Sequence, residues 1–262
     1  MTRRIRENIK VFFKYSNLLN ELVVRDIKVR YRKSVLGLLW TVLNPLLMMI
    51  VITIVFSTIF RYSIPNFPIY YLTGSLIFSF NSQSTSNAMY SIIRNSSLIK
   101  KVYIPKYLFP LSKVVSELVN LGFSLIAMFI VMIVTGAHFY PTLLLMPIPI
   151  FYTFVFTTGL GLLLAAYAVY FRDICHFYGV FVLAWTYFTP IFYPVDILPS
   201  PALTLMKLNP MYHFIGYFRD LVLYGIVPGM ITNIYCMIFS FGALVIGLIA
   251  FYRKQDNFVL YI

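Results

Sequence analysis

The chain carries eight carboxylates, Glu7, Glu21, Asp26, Glu117, Asp173, Asp196, Asp220 and Asp256, and three histidines, His138, His176 and His213. No two carboxylates pair on one helix face as a general acid and base would, and the histidines lack metal-ligand spacing. No serine stands in a nucleophile elbow. No G-x-x-x-x-G-K-[ST] loop is present to cradle a nucleotide's phosphates. Nothing here points to bond-making chemistry. What remains is binding chemistry, concentrated in three stretches.

The first is Asn20–Pro45, NELVVRDIKVRYRKSVLGLLWTVLNP. Arg25, Lys28, Arg30, Arg32 and Lys33 crowd its first half, and its second half is an unbroken apolar run. Such a join belongs where a chain lies along a membrane surface and then turns through it. The cations either orient the chain and bind anionic lipid, or meet an anionic substrate head group such as a phosphate. The second stretch is Asn81-Ser82-Gln83-Ser84-Thr85-Ser86-Asn87, which covers every side of a helix with polar groups. At membrane depth such groups must meet protein or water, so this helix is expected to be central. Asn81, Gln83, Ser84 and Asn87, with Tyr70, Tyr71, Phe78, Phe80, Tyr90, Tyr187 and Tyr193, are candidate channel-lining residues, suited to a sugar chain that slides without tight binding. The competing reading makes the aromatics interface belts and lipid-facing bulk. The third stretch is the basic loop Arg94–Lys106. Asn95 or Ser96 caps a short helix carrying Lys100 and Lys101, and Pro105 stops it. It is either a positive-inside signal or a docking element for a cytoplasmic protein.

The elements that carry these stretches follow from composition. The chain is 60% hydrophobic and 11% charged, with a mean hydropathy of +0.84, where soluble domains carry about 25% charged residues. Apolar runs of roughly 20 residues suffice to cross a bilayer. The fold class is therefore an all-α integral membrane protein without a sizeable soluble domain. The net charge of +13 sits in loops beside apolar runs, which argues for topology and against nucleic acid. Six transmembrane helices are expected, over about 36–60, 69–93, 109–135, 143–170, 177–192 and 231–252. They form a single domain, with an N-terminal amphipathic interface helix region over 1–35, a bundle over 36–252 and a tail over 253–262.

On the amphipathic helix, Leu19, Leu22, Val23 and Ile27 share a face set in the acyl boundary, opposite Arg25, Lys28 and Arg32. Asp26 and Arg30 are spaced to pair along that helix, as are Lys113 and Glu117 along the third span. Glu117 is either half of that interfacial pair or a proton site. No other intramembrane acid suggests proton coupling, so energy for transport would come from a partner. Trp40 marks an interface and Asn44-Pro45 a kink. Gly161 and Ala165 suit close helix contact. Between spans five and six, Asn209 (cap), Pro210 (first turn) and Gly225 (terminator) bracket a helix of about 15 residues, too short to cross and hence re-entrant or external. Cys175 and Cys236 are not placed for a structural disulfide, and the N-terminus reads as uncleaved. With six spans, every Lys and Arg except Arg61, Lys207 and Arg219 falls on one side, which puts both termini in the cytoplasm.

RDIKVRYRKSVLGLLWTVLNP (25–45), FRDI (171–174), YFTPIFYPVDILP (187–199) and LNPMYHFIGYFRDLVLYG (208–225), in this order, resemble the type-2 ABC-transporter permeases that export lipid-linked O-antigens, capsular polysaccharides and teichoic acids across the bacterial cytoplasmic (inner) membrane. The resemblance implies a homodimer working with two copies of a P-loop ATPase on separate chains. ATP and Mg would be bound there, leaving this chain without a cofactor and not itself an enzyme. It implies that Asn95, Ser96, Lys100, Lys101, Tyr103 and Pro105 belong to a coupling helix on the ATPase. Residues 194–225 would form paired external helices at the exit, and the polymer would pass between protomers with its lipid diphosphate near the cytoplasmic entrance. Two other functions are an exporter of small amphiphiles or drugs, against which the 187–225 motifs argue, and a membrane-embedded glycosyltransferase, which the missing carboxylate pair disfavours.

Overall fold

The computed structural model describes residues 14–32, 34–58 and 64–262. The basic and aromatic residues expected before Lys14, together with Lys33 and Arg61, lie outside the described residues. Among the described residues every regular element is helical. In chain order the helices are α1 (Ser16–Tyr31), α2 (Leu39–Thr58), α3 (Phe67–Arg94), α4 (Ser96–Lys101), α5 (Leu108–Val134), α6 (Pro147–Ala168), α7 (Asp173–Phe188), α8 (Ser200–Met206), α9 (Pro210–Arg219), α10 (Met230–Lys254) and α11 (Phe258–Tyr261). Among the described residues, four segments, Leu39–Phe56, Leu108–Val134, Pro141–Ala168 and Met230–Tyr261, are long and apolar enough to cross a membrane.

Helix α3 is the centre of the bundle and packs on α2, α5, α6, α7 and α9. Its residues Ile69, Thr73, Ile77, Asn81, Ser84, Ala88 and Ile92 recur every three or four positions and are completely buried, the stripe expected of one helix face turned inward. The polar turn is spent on neighbours. Thr157 of α6 donates to Asn81 Oδ1 at 3.0 Å, and the Tyr178 hydroxyl of α7 donates to Thr85 Oγ1 at 2.6 Å. This accounts for a helix too polar for lipid surviving at the middle of an apolar chain.

The passage from α1 into α2 is a tight turn. Gly37 takes a left-handed φ of 48°, and its amide donates to Ser34 Oγ at 3.1 Å. Pro45 sits inside α2 and has no N–H for the carbonyl four residues earlier. That carbonyl, on Thr41, instead accepts from Ser124 Oγ of α5 at 3.1 Å, so the proline's missing bond becomes a bond between helices.

Tertiary packing adds four features that the sequence did not specify. First, the apolar side of α1, expected at the acyl boundary, packs on protein: Leu22 and Val23 are buried, and Leu22 joins a cluster with Ile92, Ile99, Phe109 and Leu162. An apolar stripe is satisfied by either partner, so its spacing does not distinguish them. Second, Gly161 lies against Ala88 of α3, but the closest approach in the bundle uses other residues. Gly159 of α6 meets the backbone of Ala243, and Gly247 meets Gly159, both on α10. Third, the tail is folded: Gln255 O accepts Lys106 Nζ at 2.6 Å, and Phe258 is buried beside Phe251 and Tyr170.

Fourth, Arg219 at the end of α9 is a buried charge. It is 5% exposed and holds three backbone carbonyls, those of Pro190 (2.7 Å), Tyr70 (3.1 Å) and Ile191 (3.2 Å). Its guanidinium lies 3.6 Å from the Tyr70 ring centre. Gly74 leaves the room, since a Cβ there would stand 2.7 Å from Arg219 Nη2. Burial lowers the guanidinium to about 10, so it stays charged at neutral pH. Arg219→Lys keeps the charge but cannot span three acceptors. It should cost about 2 kcal/mol, visible as a thermal midpoint several degrees lower in detergent.

The bracketed helix between α7 and α10 forms as read. Asn209 Oδ1 accepts from the Met211 amide at 3.0 Å, Pro210 opens the helix, and a wide turn over Asp220–Tyr224 carries it to Gly225 at φ 64°.

Candidate functional site

A cleft of about 510 Å³ opens between α2, α3 and α5, with Arg30 of α1 at its margin. Helix α3 contributes Tyr71, Ser75, Ser79 and Gln83, each four residues after the last, with Phe80 beside them. Helix α5 contributes Glu117, Asn120 and Ser124, and α2 contributes Trp40, Thr41 and Asn44. Three helices thus turn a hydroxyl-and-amide face toward one space, with aromatic rings set among the polar groups.

Glu117 ties this end together. It is 3% exposed. Arg30 clamps both carboxylate oxygens, with Nη1 donating to Oε2 at 2.9 Å and Nη2 to Oε1. Asn87 Nδ2 donates to Oε1 at 2.8 Å and Asn120 Nδ2 to Oε2 at 2.9 Å. One carboxylate therefore joins α1, α3 and α5 in a charge-assisted fork. Next to it, Lys113 Nζ stands 2.7 Å from Asp26 Oδ2, and Arg25 Nη2 stands 3.4 Å from Asp26 Oδ1.

Both pairs expected along single helices are thus exchanged between helices: Asp26 with Lys113, Arg30 with Glu117. The reason is proximity and burial. An exposed pair along one helix gains about 0.2–0.5 kcal/mol, whereas α1 laid across α5 offers Glu117 a bidentate partner in a site where an unpaired carboxylate is costly. Neither of the two roles expected for Glu117 describes what the fold does with it. Its donors keep it matched in charge, and the cleft beyond it presents hydroxyls, amides and ring faces.

The remaining candidates are distributed as follows. Tyr71, Phe80 and Gln83 line the cleft, and Asn87 supports it through Glu117. Phe78, Asn81 and Ser84 point into the protein: Phe78 meets Trp185 edge-on with ring centres 5.8 Å apart, and Asn81 and Ser84 have no exposed surface. Tyr70 lies under Arg219 and donates its hydroxyl to Tyr193 O at 2.8 Å. Tyr193 in turn donates to Tyr187 O at 2.9 Å, and the Tyr187 side chain is exposed. Tyr90 stacks under Arg94, whose guanidinium carbon is 5.0 Å from the ring centre. These do not share one wall.

Among the basic candidates, Arg30 is committed to Glu117, and Arg25 contacts Asp26 and Asn95. Lys28 and Arg32 are exposed. At α4, Asn95 does not cap; its amide turns back to Ser91 O at 2.7 Å, and Ser96 is the first helical residue. The helix stops at Lys101, and Val102 is already extended, ahead of Pro105. Ile99 is buried in the cluster with Leu22 and Phe258, which anchors α4 while Lys100, Lys101 and Tyr103 (95% exposed) face outward.

Thr41, Asn44, Ser75, Ser79, Asn120 and Ser124 were not foreseen as lining residues. The four-residue spacing of Tyr71, Ser75, Ser79 and Gln83 was visible in the sequence and would have separated this face from the inward one.

Comparison with known proteins gives this geometry a context. A curated O-antigen export system permease protein RfbA of Myxococcus xanthus is 36% identical over 215 residues, covering 80% of each chain. One of the same name from Klebsiella pneumoniae is 28% identical over 261 residues, 98% of each chain. The polysialic acid transport protein KpsM of Escherichia coli is 22% identical over 246 residues, 91% of this chain and 93% of its own. The family described as ABC-2 type transporter matches residues 17–223. A membrane-spanning helical bundle, a polar and aromatic cleft among its spans, and this match over most of the sequence lead to one conclusion: the chain belongs to the ABC-2 type transporter membrane family.

Proposed function

We infer that the chain is the permease subunit of an ATP-driven exporter that moves a lipid-linked polysaccharide across the cytoplasmic membrane. The observation that carries this is the cleft between α2, α3 and α5, whose hydroxyls, amides and aromatic rings suit a hydroxylated chain, in a relative of O-antigen and polysialic acid export proteins. Two further spans complete six. Helix α3 has 28 residues, about 42 Å at helical rise, and its polar centre meets protein. Helix α7 has 16 residues, extended by the apolar stretch to Phe192. With six spans both termini are cytoplasmic, and the bracketed helix over 210–224 is re-entrant from the outer side.

Two copies of the permease act with two copies of a P-loop ATPase that binds ATP and Mg. The cleft is open along α2, where Leu47, Met48, Ile50, Val51 and Ile54 are all about half exposed, so a second protomer can close it around a polymer. Lys28 and Arg32 remain available to a lipid diphosphate at the cytoplasmic side. Lys100, Lys101 and Tyr103 form the ATPase contact.

Inactivating the gene should strip polymer from the cell surface and leave lipid-linked polymer in the cytoplasm. Unchanged surface polymer would refute the reading. Complementation with the Lys100→Glu, Lys101→Glu double variant should restore membrane insertion and ATPase recruitment poorly coupled to transport, with export down at least about tenfold, a loss of about 1.4 kcal/mol of coupling. Normal export in that variant would remove the contact assignment.

A further inference from the structure

Helix α4 has six residues, well short of the roughly 12–15 at which an isolated helix is even marginal in water. No side chain caps its first turn. Its place therefore depends on what it leans against. Among the described residues its main helical neighbours are α3, adjacent in sequence, and α11, remote in sequence. We propose that the segment over 255–262 is a clasp that holds α4 in position for the ATPase, with Lys106 and Tyr170 as its positioning residues. This rests on the reading of Lys100, Lys101 and Tyr103 as the ATPase contact, and adds the element that presents them.

The clasp closes on apolar packing and on two side-chain bonds. Phe258 is completely buried, meets Phe251 edge-on with ring centres 5.3 Å apart, and shares a cluster with Ile99 of α4. Leu98 and Ile104 pack against that cluster from the α4 side and Ile262 from the tail. Lys106, just past Pro105, donates from Nζ to Gln255 O at 2.6 Å and stands 5.8 Å from the Phe258 ring centre. Tyr170, in the turn between α6 and α7, donates its hydroxyl to Lys254 O at 2.8 Å, and its ring centre is 4.6 Å from that of Tyr261. Lys254 Nζ lies 4.6 Å from the ring centre of Tyr167 and 4.5 Å from that of Tyr170.

The acceptors explain why these two donors are used. Lys254 and Gln255 stand at the C-terminal end of α10, where carbonyls run short of intrahelical donors and a cation meets the negative end of the helix dipole. A lysine serving only to mark the cytoplasmic side would keep its ammonium in water. Lys106 is partly buried and spends its ammonium on a backbone carbonyl. One side chain from the α4 loop and one from the α6–α7 turn thus fix the same two residues of main chain. Removing both bonds leaves the rings and the apolar cluster in place, so the bundle keeps its core while α4 loses its backing.

The test uses the full chain in lipid nanodiscs, alone and with its cognate P-loop ATPase. The Lys106→Met, Tyr170→Phe double variant keeps the bulk of both side chains and removes both bonds. Hydrogen exchange of the α4 amides should quicken at least about fivefold, with the rest of the bundle unchanged. The ATPase concentration giving half-maximal ATP hydrolysis should rise at least about fivefold. The maximal rate should hold, and the thermal midpoint should stay within about two degrees of wild type. Lys106→Arg, which still donates to Gln255 O, should behave as wild type. Unchanged α4 exchange, an unchanged half-maximal concentration, or exchange quickened throughout the bundle would overturn the clasp. Should the double variant fail to fold, Lys106→Met alone decides on the same readings. Wild type that recruits no ATPase would refute the reading beneath the proposal, and α4 exchange, which needs no ATPase, then judges the clasp by itself.

Discussion

Arg30→Glu should abolish folded, export-competent protein, and Arg30→Glu combined with Glu117→Arg should recover much of it. In the wild type the Glu117 carboxylate is buried and takes two of its four donors from Arg30. Glu117 is buried but Arg30 is about one-third exposed, so leaving the carboxylate without its charged donors costs about 1–3 kcal/mol, and a second carboxylate in place of the guanidinium adds repulsion. Against a total stability of about 5–15 kcal/mol, that is enough to unseat α1 from α5. In the exchanged pair, Asn87 and Asn120 can rotate their amides to present oxygen to an arginine at position 117. The measurement is a double-mutant cycle on thermal unfolding in detergent, with export alongside. A coupling of about 2 kcal/mol is expected for groups in direct contact. If Glu117 instead paired along its own helix with Lys113, Arg30 would be an ordinary surface cation and its reversal would register within about 0.5 kcal/mol. The two arrangements are thus separated by one variant.

Gly247→Leu should be as damaging, by a different route. A Cβ at Gly247 would overlap the Gly159 carbonyl, and one at Gly159 would overlap the Ala243 backbone. No side chain can rotate away to relieve this, because the obstruction is main chain on both sides. Helices α6 and α10 would have to separate along their contact, and the bond from Ser240 Oγ to Tyr152 O, 2.8 Å long, would go with it. Small residues at membrane-helix interfaces gain their stability from close packing, with little hydrophobic drive to compensate for a gap. Overpacking typically costs about 1–3 kcal/mol and more where the backbone blocks relief, so loss of a monodisperse protein is expected, with rapid proteolysis of the α10 segment. Gly242→Ala, on the same helix with open space around it, is the control and should leave the thermal midpoint within a degree or two.

Both results concern contacts between helices, and that is where reading the residues in order reached its limit. The small-residue spacing at Gly161 and Ala165 was legible, and Gly161 does abut α3. Gly159, two residues away, makes the tighter approach to α10, and nothing in the local spacing ranks one above the other. The polar turn Asn81–Asn87 was legible as a helix that cannot face lipid, and α3 is central. Which of its faces meets the cleft was not, because a turn polar on every side has no hydrophobic face to fix its rotation. Arg219 shows the same limit most plainly. In sequence it is one cation in a polar, proline-rich connection; its role depends on carbonyls at Tyr70, Pro190 and Ile191 that only folding brings together.

The sequence by itself determined that this is a helical membrane protein and that a helix opens at Asn209-Pro210 and runs to a terminating Gly225. Those properties depend on composition, on the length of apolar runs, and on caps and glycines acting within a turn or two of themselves. The tertiary structure alone decided that Asp26 pairs with Lys113 and Arg30 with Glu117, that Pro45's orphaned carbonyl is met by Ser124, and which residues share a wall of the cleft. The physical reason is that a charge or hydrogen-bonding group is satisfied by whichever partner is nearest in space and best shielded from water, and a helix's own residues at the next turn are only one candidate among those a bundle supplies.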